Sequence, residues 1–468
     1  MKRTHIVAVL FLVPVLIMGC SDREEAAPPS LTGLFISDIH FNPLLDRKLA
    51  DTLNQAPASQ WDSIFAQSTQ TECAIYPLDT NFALLQSALV AMKLQVPSPD
   101  VIFISGDLLV HDFQQLVYNK VVTNPTQAGY EAFVYNTEQY LAIKLTAAFP
   151  NAQILPTLGD WDTAGGSTAT YADSNFLSSF ATSWKAAVNR NGGAPDFQTT
   201  FSSGGYYSTK FPVDPKGRLI GLYTQPWAAE CTETGTLAAD ELQWLTAQLA
   251  DARSKKEKVW LLGHIPPGID ANTTADNLSK GGTCQAAVTS FWAPAYASQL
   301  YALFTEYRDV LAFGIFAHEH YDDMRVVQDS SGKLIFSVKL PPSITPMHNN
   351  PAFTSFTYNP NAGVITDTAT WYLNNLASKP TTTSAVWAQE YTFNATYGQT
   401  AFDSKGVAGA VAGILTKPGA QLSYTNFYPS LYPPGNILPG GMVPFLAWSC
   451  GLNNITVADY TTCYCGNN

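Results

Sequence analysis

Short apolar runs that end abruptly in polar residues recur between positions 34 and 318 of this 468-residue chain. Continuous apolar runs of this length are typical of strands buried on both faces of a sheet. Segments with apolar residues at helical spacing lie between them, at 79–94, 135–149 and 240–253. Strands that alternate with helices predict a layered α/β core, in which ligands bind beyond the carboxyl ends of the strands. The runs cover residues 34–38, 101–107, 153–160, 219–223, 259–264 and 313–318.

Carboxylate and imidazole side chains stand where five of these runs end. Two side chains separated by one residue at a strand end point to the same face, and carboxylate with imidazole suits zinc, iron or manganese. Each such residue taken alone is typical of a turn or of a core histidine, so the prediction depends on the ordered set. A two-metal hydrolytic site needs this mixture, with ions roughly 3.5–4 Å apart. The residues are Asp38, His40, Asp107, Asp160, His264, His318 and His320.

This order resembles the calcineurin-like metallophosphoesterase family, whose pattern is Asp-x-His, Gly-Asp, Gly-Asn-His-Asp/Glu, Gly-His and Gly-His-x-His. A narrower likeness, to the acid sphingomyelinase-like phosphodiesterases, is carried by residues 106–112, which read GDLLVHD, and by segments 342–346, 349–353 and 371–374. The likeness extends from residue 31 to the C-terminus. It implies a layered β-sandwich flanked by helices over 31–375, and a smaller, mostly helical, disulfide-bearing domain over 376–468.

The resemblance also implies a role for each candidate residue. Two divalent ions, zinc with iron or manganese as alternatives, would be bound, and Asp107 would bridge them. His111 would protonate the leaving oxygen, the alternative being that it only hydrogen-bonds a neighbour. His348 would line the substrate groove or do nothing. The other ligands are Asp38, His40 and His320 for one ion and Asp160, His264 and His318 for the second, while Asn42, Asp162 and Glu319 would support them or contact substrate.

Two positions depart from the family pattern. Asp160-Trp161 stands where the family has Asn-His, and Ala317 precedes His318 where the family has glycine. Aspartate adds a negative charge to an oxygen ligand, which predicts a tighter second metal with lower electrophilicity. Trp161 cannot replace a histidine that faces the phosphate or the leaving group.

The resulting hypothesis is hydrolysis of a phosphodiester by attack of a metal-bridging hydroxide, on a sphingomyelin-like lipid or a nucleotide-type substrate. One alternative is a phosphomonoesterase or polyphosphatase of the same family. Another is a surface binding protein that holds metal but has lost catalysis. The net charge of −12 excludes a nucleic-acid duplex as partner, since that needs a basic face. The expected partner is a phosphoester small molecule or lipid head group, and the expected state is a monomer.

The N-terminus predicts export. Lys2 and Arg3 precede an apolar run over 6–18 that is too short to span a bilayer but suits a signal peptide. The run ends in Gly19-Cys20, which resembles a bacterial lipobox, so residues 1–20 are predicted to be a lipoprotein signal peptide and 21–30 a linker. Lipidation of Cys20 would attach the protein to a membrane surface in the cell envelope. The alternative is an ordinary secretory peptide and a secreted protein.

Six cysteines remain once Cys20 is set aside. Disulfides persist in exported proteins, so three bridges are expected. The predicted first pair is Cys231–Cys284, and the tight spacing of Cys463 and Cys465 indicates that those two pair elsewhere. A cysteine zinc site is the alternative, although no Cys-x2-Cys pair exists. The remaining bridges would be formed among Cys73, Cys450, Cys463 and Cys465.

Overall fold

The computed structural model describes Met1 and residues 30–165, 168–211, 216–233, 235–329, 331–432 and 445–466. The predicted signal peptide, its Cys20 and nearly all of the predicted linker lie outside these residues. Within the described ranges, no helix is both long enough and apolar enough to cross a bilayer.

Two six-stranded sheets form the centre of the molecule. In chain order the strands are β1 (Leu31–Ile36), β2 (Val101–Ile104), β3 (Gln153–Pro156), β4 (Tyr207–Lys210), β5 (Gly217–Gly221), β6 (Lys258–Leu262), β7 (Ile269–Asp270), β8 (Thr289–Ser290), β9 (Leu311–Ile315), β10 (Asp323–Gln328), β11 (Leu334–Leu340), β12 (Ala352–Asn359), β13 (Val364–Leu373) and β14 (Trp387–Thr392). The predicted runs correspond to β1, β2, β3, β5, β6 and β9.

Parallel strands occupy the middle of both sheets. The first sheet has the order β14-β13-β12-β1-β2-β3, in which β1, β2 and β3 are parallel and β12 to β14 extend the other side of β1 antiparallel. The second has the order β10-β11-β9-β6-β5-β4, in which β5, β6, β9 and β11 are parallel. The short pair β7–β8 forms a separate hairpin. Parallel strands bring their carboxyl ends to one edge of each sheet, which is where a site can form.

The two sheets pack face to face through aromatic side chains. Phe103 of the first sheet lies 6.0 Å from Trp260 of the second, measured between ring centroids, and Trp260 lies 5.7 Å from Tyr358 of the first. Phe35 and Phe313 meet across the same interface at 6.4 Å. All five side chains are buried. The predicted layered sandwich is therefore confirmed.

Helices cover the outer faces of the sandwich. They are α1 (Ala50–Gln55), α2 (Trp61–Phe65), α3 (Phe82–Gln95), α4 (Phe113–Leu116), α5 (Gln127–Ala148), α6 (Ser174–Val188), α7 (Phe197–Gly204), α8 (Leu237–Lys255), α9 (Ala271–Ser279), α10 (Cys284–Ala287), α11 (Pro294–Glu306), α12 (Phe393–Tyr397), α13 (Ser404–Thr416), α14 (Pro418–Phe427), α15 (Phe445–Gly451) and α16 (Val457–Cys465). Short 3-10 turns cover Ala58–Gln60, Gln225–Trp227 and Leu376–Ser378, and a π-helical turn covers Val117–Val121.

The helix predicted over 79–94 begins later than expected, at Phe82. Asn81 caps it, because its side-chain oxygen accepts a hydrogen bond from the backbone N–H of Leu84 at 3.0 Å. Asp79 therefore lies outside the helix, and its carboxylate is available for another contact.

The C-terminal segment combines helices with one strand. β14 lies beyond residue 375 and pairs with β13 as the edge of the first sheet, and α13 packs against β10 and β11. The segment thus shares its apolar core with the sandwich. The division into two domains at 375 stays a prediction.

The predicted Cys231–Cys284 bridge is wrong. Cys284 is bonded to Cys465, and Cys450 is bonded to Cys463. α10 begins with Cys284 and packs against α16, which carries Cys465. Cys231 lies on a different loop and, like the buried Cys73, keeps a free thiol, so the described residues form two bridges rather than three. The prediction that Cys463 and Cys465 pair elsewhere is confirmed.

Replacing Cys465 by serine is expected to lower the free energy of unfolding by about 2–5 kcal/mol, because the Cys284–Cys465 bridge closes a long loop. Chemical denaturation monitored by circular dichroism measures this. Cys231→Ser is the matched control and should shift stability by less than about 0.5 kcal/mol. Equal destabilisation by both variants would contradict the observed pairing.

Candidate metal centre

Every residue predicted as a metal ligand lies just beyond the carboxyl end of a parallel strand. Asp38 and His40 follow β1, and Asp107 follows β2. Asp160 follows β3, His264 follows β6, and His318 and His320 follow β9. Because the two sheets present these ends at the same edge of the sandwich, the seven side chains meet although they are spread over 283 positions (38 to 320).

The first group consists of Asp38, His40, Asp107 and His320. One ligand-type atom from each lies within 4.8 Å of the others. The Nε2 atom of His40 is 3.2 Å from Oδ2 of Asp107 and 3.3 Å from Nε2 of His320. His320 Nε2 lies 3.6 Å from Oδ1 of Asp38. All four side chains are buried.

The second group consists of Asp160, His264 and His318, again with ligand-type atoms within 4.8 Å of one another. Oδ1 of Asp160 lies 2.8 Å from His264 Nε2 and 3.1 Å from His318 Nδ1. Asp107 connects the groups, since its Oδ2 is 3.3 Å from His264 Nε2 as well as close to His40. His318 is partly exposed and forms the solvent side of the site.

Backbone carbonyls fix the orientation of two imidazole rings. Nδ1 of His40 is 2.9 Å from the carbonyl oxygen of Leu109, and Nδ1 of His264 is 2.7 Å from that of Ser105. A carbonyl only accepts, so each Nδ1 donates its proton. In the neutral ring this leaves the lone pair of Nε2 facing the centre, the usual arrangement of a metal-binding histidine.

The loops that carry these residues adopt backbone conformations that side chains disfavour. Such left-handed residues cluster at functional sites, where the surrounding structure holds them. Gly106 in the same region has φ +91°, and a Cβ atom there would lie 2.7 Å from the backbone nitrogen of Gly159. The two Gly-Asp pairs are therefore required for the close approach of the second and third loops. Positive φ angles occur at Asp38 (46°), His40 (41°), Asp107 (52°), His318 (75°) and His320 (66°).

The electrostatics of the site favour positive charge. Burial lowers the pKa of His40, but the Asp107 carboxylate outweighs it and raises this pKa to about 9. Burial also lowers the pKa of His318, but the neighbouring Asp160 carboxylate opposes this effect, and the pKa is raised to about 9. Burial raises the pKa of Asp107, yet His264 and His40 bring it well below its usual range. The carboxylates therefore attract cations, whether protons or metal ions.

Asp38 gives a direct test of whether a metal ion fits. Both of its carboxylate oxygens are buried and receive no hydrogen bond from the described residues. Burial raises the pKa of this carboxyl, and the neighbouring Asp107 adds to the rise although His264 and His40 oppose it. Buried polar groups without partners are rare in proteins. A cation beside Asp38 would satisfy both oxygens, so the residues fit divalent metal ions in two adjacent positions.

No family model matches the chain. A cyclic GMP-AMP phosphodiesterase of cattle (Bos taurus), SMPDL3A, is 25% identical over 341 residues, which is 71% of this chain and 71% of the relative. Sphingomyelinase phosphodiesterase C of Dictyostelium discoideum is 24% identical over 404 residues, which is 82% of each chain. These relatives are phosphodiesterases by name, and the site described above brings together carboxylate and imidazole groups that could hold metal ions. The chain is similar to phosphodiesterases of the acid sphingomyelinase-like type. The prediction of a phosphoric ester hydrolase is confirmed by these relatives.

The likeness of this chain to other proteins is partial. Matches to the rat, human and mouse forms of SMPDL3A span 63%, 56% and 61% of those relatives. A dimetal phosphatase of zebrafish (Danio rerio) superposes with a TM-score of 0.40 and 11% identity over 78% of this chain and 100% of the phosphatase.

Asp162 accepts hydrogen bonds from two of the loops that carry the clustered residues. Its Oδ1 accepts hydrogen bonds from the backbone N–H groups of Leu108 and Leu109 at 2.9 and 3.0 Å. Its Oδ2 accepts from Gly159 N–H at 2.9 Å. Asp162 thereby ties the residues that follow Asp107 to the loop that carries Asp160. Its supporting role stays a prediction.

His111 lies at the mouth of the site beside the first group. Its ring stacks on that of His40 at 3.7 Å between centroids. Its Nδ1 donates to Oδ1 of Asp79 at 2.8 Å, and its backbone N–H donates to the other oxygen at 3.1 Å. Burial raises the pKa of Asp79, but its hydrogen bond to His111 and the nearby imidazoles hold it below the usual range. Asp79 is a contact of His111 that the sequence did not indicate.

Trp161 contributes its backbone and its ring at different places. Its backbone N–H donates to Oδ1 of Asp107 at 3.0 Å. The other oxygen of Asp107, Oδ2, faces His40 and His264. Its ring meets His111 edge to face at 5.3 Å. Trp161 therefore packs against His111, a contact that the sequence did not suggest.

The remaining predicted residues lie at varying distances from the centre. Asn42 accepts a hydrogen bond from Leu44 N–H at 2.9 Å, a local turn contact. His348 lies against Tyr76, 3.9 Å between ring centroids, and is outside both groups. Glu319 pairs with Arg325. The supporting or substrate-binding roles of these three residues stay predictions.

Replacing Asp160 by asparagine tests the departure from the family pattern. The variant keeps an oxygen ligand near His264 and His318 but removes one negative charge from the second group. Because ligand charge sets cation affinity, we expect about a tenfold weaker second zinc. Zinc titration of the apoprotein against a chromophoric chelator measures this. An unchanged or tighter second zinc would show that the charge of Asp160 does not control the affinity.

Proposed function

We propose that the chain hydrolyses phosphodiesters with two divalent ions, most naturally zinc. The observation that carries the proposal is the position of Asp107, whose Oδ2 lies 3.2 Å from His40 Nε2 and 3.3 Å from His264 Nε2. A carboxylate shared by two groups of ligands is what a binuclear site requires. The proposed ligands are Asp38, His40 and His320 for one ion, Asp160, His264 and His318 for the other, and Asp107 for both.

Two bound divalent ions would supply charge neutralisation of the phosphoryl oxygens and acidification of the attacking water. The protein's own residues hold that arrangement. Leu109 and Ser105 carbonyls keep Nε2 of His40 and His264 turned inward. Asp162 fixes the loop after Asp107, as its three accepted hydrogen bonds support.

His111 is the proposed proton donor to the leaving oxygen. Its Nδ1–H is bonded to Asp79, so Nε2 is the nitrogen left for exchange with substrate. A carboxylate on the far nitrogen fixes the tautomer and the orientation of the ring, as in other carboxylate–histidine pairs. Stacking on His40 and the edge of Trp161 hold the ring in one orientation.

A cavity of about 250 Å³ opens beside His318, on the side of the second group. Glu230 and Asp270 line it together with Phe291. Two carboxylates repel a substrate that carries additional negative charge and favour cations or hydrogen-bond donors. Among the substrate classes considered, this favours a diester with a cationic head group, of the phosphocholine type, over phosphomonoesters, polyphosphate and nucleotides.

A substrate panel on the metal-replete mature protein tests the proposal. We expect two ions per chain by elemental analysis, and kcat/KM at least tenfold higher on bis-p-nitrophenyl phosphate than on p-nitrophenyl phosphate. A preference for the monoester would favour the phosphomonoesterase alternative. Two ions without turnover of any phosphoester would favour the binding protein that has lost catalysis.

The same panel tests the acidic cavity with the double variant Glu230→Gln, Asp270→Asn. Loss of two charges should raise KM for p-nitrophenyl phosphocholine about tenfold, equivalent to about 1.4 kcal/mol. KM for bis-p-nitrophenyl phosphate, which lacks the cation, should change less than about twofold. Equal changes on both substrates would show that the cavity does not select the head group.

Export belongs to the proposal as well. Two disulfides are typical of proteins outside the cytosol, in agreement with the leader of the sequence. Lipid attachment at Cys20 and the resulting membrane association are proposed from that leader alone.

A further inference from the structure

Arg325 on β10 is a buried cation close to the metal centre but outside its ligand set. Its side chain is 4% exposed. The guanidinium forms a close ion pair with Glu319, and its Nη1 donates to the carbonyl oxygen of Pro267 at 2.9 Å. Nε lies 3.5 Å from Oδ2 of Asp323. A buried guanidinium needs such partners, because an unpaired charge in the interior is strongly destabilising.

The two nearest partners of Arg325 belong to different ligand loops. Glu319 stands between His318 and His320, which supply one ligand to each group. Pro267 stands three residues after His264 of the second group. A planar guanidinium presents its N–H donors in a fixed fork, so bonding both partners sets the spacing between the two loops.

Space for this guanidinium is built into the His264 loop. Gly268 has φ +124°, and a Cβ atom there would lie 2.9 Å from Nη1 of Arg325. Only glycine combines that backbone conformation with the absence of a side chain. The loop is thereby shaped around Arg325.

Arg325 also supports the acidic cavity. Its guanidinium carbon lies 5.3 Å from the centroid of the Phe291 ring, which lines that cavity. Phe291 in turn meets the ring of His318 edge to face at 5.6 Å. One side chain thus contacts two of the three loops of the second group, those of His264 and His318, and a wall of the adjoining cavity.

We propose that Arg325 is a positioning residue that sets the spacing of His264 and His318, and through them the affinity of the second metal position. The inference rests on the proposed binuclear function. Arg325 touches neither substrate nor the reacting atoms, so its effect is expressed in metal affinity and in KM rather than in proton transfer.

The experiment compares Arg325→Lys with Arg218→Lys in the full chain. Arg218 is also a largely buried arginine, paired with Asp251 and Glu257, but it lies on β5 at the opposite end of the strands. Zinc titration of each apoprotein should show the second dissociation constant raised about tenfold or more in Arg325→Lys, the range found when residues behind metal ligands are changed. Arg218→Lys should stay within twofold of the native protein.

A second variant separates positioning from folding. Glu319→Gln, Arg325→Met removes both charges, so its thermal midpoint should recover relative to Arg325→Met alone, which leaves Glu319 unpaired. The double variant should nevertheless still bind the second zinc ion more weakly than the native protein, because no guanidinium bonds both loops. Native affinity in the double variant, or in Arg325→Lys, would overturn the inference. If the native protein binds two zinc ions and hydrolyses the diester, the proposed function stands whichever way these variants behave.

Discussion

Replacing Asp107 by asparagine is expected to lower kcat/KM for bis-p-nitrophenyl phosphate by a factor on the order of 10³ or more. Changing residues that merely support metal ligands weakens metal affinity or activity about 10–100-fold, and Asp107 faces both groups directly. Asparagine keeps the size of the side chain, and its oxygen can still accept the N–H of Trp161. The variant loses the negative charge that faces both His40 and His264. Initial rates and zinc content per chain, measured on the same preparation, test this.

Asp112 provides the control for that prediction. It is an exposed aspartate five residues further along the same loop, in a left-handed conformation that asparagine also tolerates. Asp112→Asn should retain activity within twofold. If Asp107→Asn retains activity within tenfold, Asp107 is not the bridge between two ions.

The clustering of the predicted ligands could be anticipated from the sequence because its signals are local. Each ligand follows an apolar run directly, and the rule that parallel strands present their carboxyl ends at one edge brings distant runs together. The structure indeed places Asp38, Asp107 and His264 at one edge. This prediction depends on local sequence and on sheet topology, and on no specific contact between distant side chains.

Asp79 could not be predicted in this way. An acidic residue before an apolar periodic segment is a normal helix start. The sequence therefore predicts that Asp79 is the first residue of the helix over 79–94. The actual cap is Asn81, and this frees Asp79 to bind His111, 32 positions away. No motif marks such a contact, because it depends on how two loops pass each other.

The prediction of the disulfide pairing was wrong for a related reason. Six cysteines allow 15 connectivities, and sequence spacing does not choose among them. Cys231 and Cys284 flank one region of the chain, but the packing of α10 against α16 decides the partner of Cys284. The contacts of Arg325 could not be predicted from the sequence either. Only the fold shows that its guanidinium bonds both Glu319 and the carbonyl oxygen of Pro267.

Replacing His111 by alanine is expected to reduce hydrolysis of diesters with alkyl leaving groups by about 100-fold or more, the usual contribution of a positioned general acid. Hydrolysis of bis-p-nitrophenyl phosphate should fall less than about fivefold, because p-nitrophenolate leaves without a proton. The Nδ1 contact with Asp79 and the stack on His40 hold the His111 ring beside the first group and leave its Nε2 for the proposed proton transfer. Parallel rate measurements on glycerophosphocholine and the nitrophenyl diester give the comparison.

His111→Phe distinguishes loss of the proton from loss of packing. Phenylalanine keeps a ring against His40, where the histidine ring lies 3.7 Å away, but carries no proton. We therefore expect it to behave as alanine does, with a large loss on the alkyl diester and a small one on the nitrophenyl diester. Equal losses on both substrates in both variants would mean that His111 supports the first metal group through His40 rather than donating the proton. Departure of the alkoxide would then depend on another acid, and the hydrogen bond from His111 to Asp79 would serve only to hold the two loops together.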